Sequence, residues 1–70
     1  MKNIAVFKTN VRFAQEAKLI GKMLKIMFKT IDVNFDLEDR DHILRVETIN
    51  VNEVQISQTM KELGYNCTAL

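Results

Sequence analysis

The sequence predicts an α+β fold in which two helices cover one face of a four-stranded antiparallel sheet. Two patterns lead to this prediction: short β-rich or alternating segments, and two longer segments whose apolar residues recur at spacings of three and four. They follow one another in the order βαββαβ. A chain of 70 residues without a proline- or glycine-rich linker has room for one core of this kind. Residues 1–70 are therefore predicted to form a single domain.

The first strand and the first helix are predicted within residues 4–28. Ile4 to Thr9 is short and rich in β-forming residues, with Ile4 and Val6 on one face. Asn10 is suited to cap the helix that follows. The predicted inward face of that helix consists of Phe13, Ala17, Ile20, Leu24, Met27 and Phe28. We interpret the methionines of this helix as core residues, and Gly21 as a position where the helix can lie close to the sheet.

A hairpin is predicted next. Ile31 to Leu37 alternates between apolar and polar residues, which is typical of a strand with one wet face. The alternation resumes at Ile43 to Thr48, after the polar turn Glu38 to His42. Leu44 and Val46 then face inward, and the two strands pair as a hairpin.

The second helix and a last strand complete the chain. Asn50 and Glu53 have the spacing of a capping box, so this helix is predicted to start at Val51. Its inward residues are Ile56, Thr59, Met60 and Leu63. Gly64 ends it in the left-handed conformation that glycine adopts freely, and Tyr65 to Leu70 forms the last strand. With right-handed crossovers, this order is that of the ferredoxin-like plait, a fold with several unrelated functions.

Three connecting segments of such a plait lie at the same end of the sheet. They are the loop after the first strand, the turn of the hairpin and the loop before the last strand, and we call this end the loop edge. Polar atoms are predicted to converge there. The candidate site residues at the loop edge are Thr9, Asn10, Arg12, His42 and Tyr65.

Five segments of the chain carry a family resemblance. They are IAVFKTN, a helix patterned A-x-x-I-x-x-x-L, IDVNFDL, ILRV and the ending MKELGYNC. Together they resemble the heavy-metal-associated domain of small copper chaperones and soft-metal P-type ATPases. The most telling part is Gly64 followed by Tyr65, since that family typically has Gly and then Tyr or Phe before its last strand. The resemblance spans nearly the whole chain and implies the same plait.

The metal motif of that family is missing. Its members hold Cu(I) or Zn(II) on a C-x-x-C after the first strand, whereas Thr9 to Ala17 (TNVRFAQEA) has no cysteine. The resemblance transfers only Tyr65, which matches an aromatic or basic residue beside the metal loop. Two interpretations of the sole cysteine, Cys67, stay open: a small buried apolar residue, or an unusual ligand for Cu(I) or Zn(II).

The polar turn offers a weaker candidate. Glu38, Asp39, Asp41 and His42 have metal-ligating side chains. However, carboxylates are common in turns because they accept hydrogen bonds from nearby backbone N–H groups. With one histidine and no glycine-flanked serine, the chain lacks the residues of a catalytic triad. We therefore predict that the protein is not an enzyme.

Charge is distributed unevenly along the chain. Residues 1–29 contain seven Lys or Arg and one Glu, whereas residues 30–70 contain three basic and eight acidic residues. Lys18, Lys22, Lys25 and Lys29 lie one above another on the first helix. We predict that they dock on an acidic protein surface, as lysines of this helix do in the copper chaperones that the chain resembles. A solvated outer helix face is the alternative.

Composition excludes other partners. A net charge of +1 lacks the overall positive field of nonspecific nucleic-acid or membrane-surface binders. The strand ILRVET has none of the aromatic residues on which RNA-recognition motifs stack bases. One cysteine and no apolar run near 20 residues favour the cytoplasm. The sheet face away from the helices is predicted to be polar, which favours a monomer or weak dimer; its residues are Asp32, Asn34, Asp36, Arg45 and Glu47.

The function expected from these observations is that of a small noncatalytic binding module. It resembles a heavy-metal-associated domain, has no resident cofactor and docks on an acidic protein. The alternative is a Cu(I) or Zn(II) carrier that uses Cys67.

Overall fold

The computed structural model describes residues 3–28, 32–49 and 52–70. Within them lie four strands and two helices in the predicted order. They are β1 (Asn3–Thr9), α1 (Ala14–Phe28), β2 (Asp32–Asp36), β3 (Ile43–Thr48), α2 (Glu53–Glu62) and β4 (Cys67–Ala69). The last strand is shorter than the predicted Tyr65 to Leu70, and Ile31 lies outside the described residues.

The strands form one antiparallel sheet in the order β2-β3-β1-β4. β1 pairs with β3 so that Phe7 lies opposite Leu44, and with β4 so that Thr9 lies opposite Cys67. β2 pairs with β3 so that Val33 lies opposite Val46. This α+β arrangement confirms the predicted ferredoxin-like plait, with β2 and β4 as its edge strands.

Both helices contribute to a single core on one face of the sheet. Phe7, Leu24, Leu44 and Met60 are fully buried in it. Leu44 and Val46 face inward as predicted. Val33 and Phe35 of β2 pack against this core while staying partly exposed, because an edge strand has a neighbour on one side only.

Ile4 and Val6 lie on one face of the first strand, and the strand buries its other face. Ala5, Phe7 and Thr9 are buried, whereas Ile4 is exposed on the open face, the side of the sheet away from the helices. The run IAVF is apolar on both faces, so periodicity does not distinguish them. The register against β3 decides it, because Phe7 and Leu44 occupy neighbouring positions in the core.

The first helix differs from its prediction at its start and on one side. It begins at Ala14, and Asn10 does not cap it; the backbone N–H of Ala17 bonds to the carbonyl of Phe13. Ala17, Ile20 and Leu24 are buried as expected. Three side chains interpreted as core residues are instead exposed: Phe13, Met23 and Met27. The core is too thin to cover a wider stripe of α1, since two helices share one small sheet.

The second helix also starts later than predicted. Asn52, rather than Asn50, caps it, and its side-chain oxygen accepts a hydrogen bond from the N–H of Gln55 at 3.0 Å. Asn50 and the predicted first residue Val51 lie outside the described residues. Ile56 and Met60 are buried as predicted, but Thr59 is half-buried and Leu63 exposed. Gly64 follows with φ +96°, which confirms the left-handed helix end.

Neither described helix has the length and apolar character needed to cross a membrane.

Candidate functional site

Hydrogen bonds between distant segments build the loop edge. The N–H of Thr9 donates to the carbonyl of Asp41 at 3.0 Å, and its hydroxyl donates to the carbonyl of His42 at 2.6 Å. The side-chain oxygen of Asn10 accepts from the N–H of Asn66 at 2.9 Å. The three predicted segments therefore do meet, and Asn10 joins two loops instead of capping α1.

Tyr65 is bound to the first turn of α1. Its hydroxyl donates a hydrogen bond to the carboxylate of Glu16. This carboxylate stabilises the protonated phenol and repels the phenolate, so it raises the pKa of Tyr65, with some further effect from desolvation. Tyr65 thus connects the segment before β4 to α1. The sequence did not indicate Glu16 as its partner, because the two residues are 49 positions apart.

The polar turn satisfies its own backbone. The N–H of Asp39 donates to the carboxylate of Asp36, and the N–H of Asp41 donates to that of Asp39. These local bonds are the ones expected of carboxylates in turns. His42 has a φ of +46°, and its ring Nδ1 is buried without a hydrogen-bond partner among the described residues. It therefore lacks, within this part of the chain, the orienting partner that a general base needs.

The remaining basic residues of the loop edge are exposed. Arg12 is exposed beside buried Val11, and Lys8 lies 3.7 Å from the carboxylate of Asp41. Lys8 is on β1, so it does not extend the basic face of α1. A surface ion pair of this kind contributes about 0–1 kcal/mol.

Cys67 is buried at the start of β4, with 4% of its surface exposed. Burial raises the pKa of its thiol, an effect opposed in part by Ser57 and Lys61. A soft-metal ligand needs the reverse, a thiolate with a second soft donor nearby. The small cavity beside Cys67 is lined by Lys8, Thr9, Asn10, Lys61, Asn66 and Thr68, none of them a soft donor.

Within the described ranges, no three His, Cys, Asp or Glu side chains are grouped as a metal site would require. The donor set at the loop edge therefore does not fit the Cu(I) or Zn(II) that the family resemblance implies.

The outer surface of α1 carries the lysines predicted for docking. Lys18, Lys22 and Lys25 are exposed, and we call them the lysine row. At 3.6 residues per turn they fall within about 60° around the helix axis. Lys25 also lies 3.6 Å from the carboxylate of Asp32 at the start of β2. The fourth predicted member, Lys29, lies outside the described residues.

Beside the lysine row runs a second, apolar row that the sequence analysis missed. It consists of Leu19, Met23 and Ile26, with Leu19 63% and Ile26 80% exposed. Large apolar side chains grouped on a surface are typical of interaction sites. The signal was present in the sequence, since these residues also have helical spacing. A prediction that assigns one apolar face to α1 does not identify this row, because the helix has apolar residues on an exposed side as well as on its buried side.

On the other side of the lysine row, α1 and β2 form an open groove of about 450 Å³. Its floor is apolar and includes Ala17, Val33 and Phe35, whereas its rim includes all three members of the lysine row. We call it the β2 groove. The lysine row thus stands between an exposed apolar row and a groove with an apolar floor.

Comparison with known proteins leaves the fold and this surface as the basis for assigning a function. No known family model matches the chain, and neither a curated protein nor a solved structure matches it. At this level the protein is defined as a ferredoxin-like α+β domain with a basic, partly apolar helix surface.

Proposed function

We propose that the protein is a noncatalytic binding module of the heavy-metal-associated type, which docks on an acidic protein surface through α1. The observation that carries this proposal is the apolar row next to the lysine row. A solvated helix face does not require three apolar side chains, Leu19, Met23 and Ile26, to share one exposed side. An interface does, because apolar side chains at its centre are desolvated while charges around them select and orient the partner.

The charges of the rest of the molecule support an acidic partner. On the outer surface of α1 the described charged residues that flank the apolar row are lysines, and Glu16 is turned to Tyr65. By contrast, α2 carries Glu53 and Glu62 at its two ends. The resulting electric dipole orients an approaching acidic surface toward α1.

Photo-crosslinking in cells tests the proposal. A photoreactive amino acid at Leu19 is compared with one at Val54, an equally exposed apolar position on α2 (68%). We expect a specific cross-linked partner from position 19 and none from position 54, with its yield reduced by the double substitution K18E/K22E. Equal products from both positions, or a product that survives the charge reversal, would contradict docking through α1.

The alternative of a soft-metal carrier has its own test. Reduced protein is titrated with Cu(I) and with Zn(II) against a competing chelator, and Cys67→Ser serves as the control. Because Cys67 is buried with a protonated thiol, we expect wild type and variant to behave alike. Stoichiometric binding that disappears in the variant would establish the carrier instead.

A further inference from the structure

The outer edge of β2 has backbone groups that point away from the sheet. The N–H of Thr9 bonds toward the hairpin turn and the carbonyl of Val6 accepts from the N–H of Leu70. Odd-numbered residues of β1 therefore bond toward β3, and even-numbered residues toward β4. Because Phe7 lies opposite Leu44, even-numbered residues of β3 bond toward β1 and its odd-numbered residues bond toward β2. The residues of β2 that lie opposite even-numbered residues of β3 are Val33 and Phe35, so their backbone N–H and carbonyl groups point outward.

One hydrogen bond supports this assignment directly. The N–H of Val33 donates to the side chain of the preceding residue, Asp32, at 2.9 Å. No described strand lies beyond β2, which occupies the end of the sheet order. A strand edge of this kind is a template on which another extended chain pairs.

The side chains of the same two residues form the floor of the β2 groove. Val33 and Phe35 face α1. The middle of the groove is open because Gly21, which lines it, has no side chain. A Cβ placed on Gly21 would lie 3.7 Å from Cγ1 of Val33. An extended segment paired with β2 would therefore point every second side chain into this groove, beneath the lysine row.

Charge selects the kind of segment. Side chains that point toward α1 meet Lys18, Lys22 and Lys25, which favours acidic residues there. Side chains that point to the open face meet Asp32 and Asn34 of the edge strand, which disfavours acidic residues there. A second copy of β2 does not match, because it would present Val33 and Phe35, not carboxylates, to the lysine row.

We propose that the edge of β2 binds an extended segment of a partner protein as a fifth strand, with acidic residues at alternate positions directed into the β2 groove. This inference rests on the proposed function, since both use the lysine row. It adds the form of the partner: a strand paired through its backbone.

A synthetic peptide provides the probe. Acetyl-TETETET-amide places glutamates on one face and β-forming threonines on the other, and acetyl-TKTKTKT-amide is its charge-reversed control. Two further versions of the acidic peptide carry N-methyl groups on the threonines alone or on the glutamates alone. Only alternate residues of an added strand bond to β2. We therefore expect one N-methylated version to lose binding by about tenfold or more and the other to retain it.

Amide hydrogen exchange locates the bound peptide. The amide of Phe35 is expected to gain protection when the acidic peptide is added, whereas that of Leu70, which already bonds to Val6, is expected to keep its rate. Gly21→Leu fills the groove and is expected to weaken binding by about tenfold or more. Gln58→Leu, an apolar substitution on the exposed side of α2, is its matched control and should bind like the wild type.

Each other outcome overturns the inference. Equal effects of the two N-methylated peptides, or no protection of Phe35 at any peptide concentration, would exclude strand addition. Protection of Phe35 that grows with protein concentration without peptide, together with dimers in analytical ultracentrifugation, would make a second copy the occupant. If cross-linking from Leu19 still depends on the lysines in these cases, only strand addition fails. If that dependence is also absent, the proposed function fails with it.

Discussion

The two edge strands of the sheet, β4 and β2, differ in what their residues contact. At the β4 edge, the side chains of Met60 and Cys67 are buried, and the backbone N–H of Asn66 donates to the side-chain oxygen of Asn10. These contacts stabilise the fold. At the β2 edge, Val33 and Phe35 stay partly exposed, and their backbone groups point outward. At the loop edge, where the family resemblance places its metal motif, Thr9, Asn10 and Tyr65 make hydrogen bonds within the protein.

The largest expected effect contrasts a methionine from each helix. Met60→Ala on α2 is expected to lower the free energy of unfolding by about 2–5 kcal/mol, because it leaves a cavity in the core. Met60 is fully buried, whereas Met23 is 39% exposed. Met23→Ala should therefore cost less than about 1 kcal/mol. Urea denaturation of both variants measures the difference, and similar losses would show that α1 buries its outer side after all.

Gly21 sharpens the description of the β2 side. Gly21→Ala is expected to raise the free energy of unfolding by about 0.5–1 kcal/mol, because alanine has the higher helix propensity. The added methyl group would lie 3.7 Å from Val33, an ordinary contact. Close packing of helix and sheet at this position therefore does not require glycine, because a Cβ fits. A loss of stability in denaturation experiments would show that the position does require glycine.

The hydrogen bond between Tyr65 and Glu16 joins the segment before β4 to α1, and its contribution to stability depends on pH. The carboxylate of Glu16 raises the folded-state pKa of the Tyr65 phenol. The hydrogen bond therefore stabilises the protein fully below the unfolded-state pKa of tyrosine, about 10. That contribution is lost as pH rises through the folded-state pKa. Glu16→Gln should shift the phenol titration to lower pH. Absorbance reports it without interference because the chain has one tyrosine, and an unchanged titration curve would argue against the bond.

Much of the fold was predictable because strong local patterns agreed with it. The alternation of residues 31–37 and 43–48 predicted the hairpin, and Gly64 predicted the end of α2. The errors fall where local signals are ambiguous. Two asparagines, Asn50 and Asn52, compete as the cap of α2, and the run from Ile4 to Phe7 is apolar on both faces.

The candidate surface was only half predictable. Spacing on a helix was enough to group Lys18 with Lys22, since that grouping needs no tertiary information. Recognising Leu19 and Ile26 as exposed requires knowing how much of α1 the core covers. The β2 groove requires more still, because it is formed by Val33 and Phe35 together with a helix that precedes them in the chain.

We propose that the lysine row of α1 selects the partner. The most direct test of this proposal is the dissociation constant of the partner cross-linked from Leu19, measured by calorimetry for wild type, K18E/K22E and K61E. We expect at least about tenfold weaker binding for K18E/K22E, equivalent to about 1.4 kcal/mol, and wild-type affinity for K61E, which reverses one exposed lysine on α2. Equal affinity of all three proteins, or an equal loss in both variants, would contradict it.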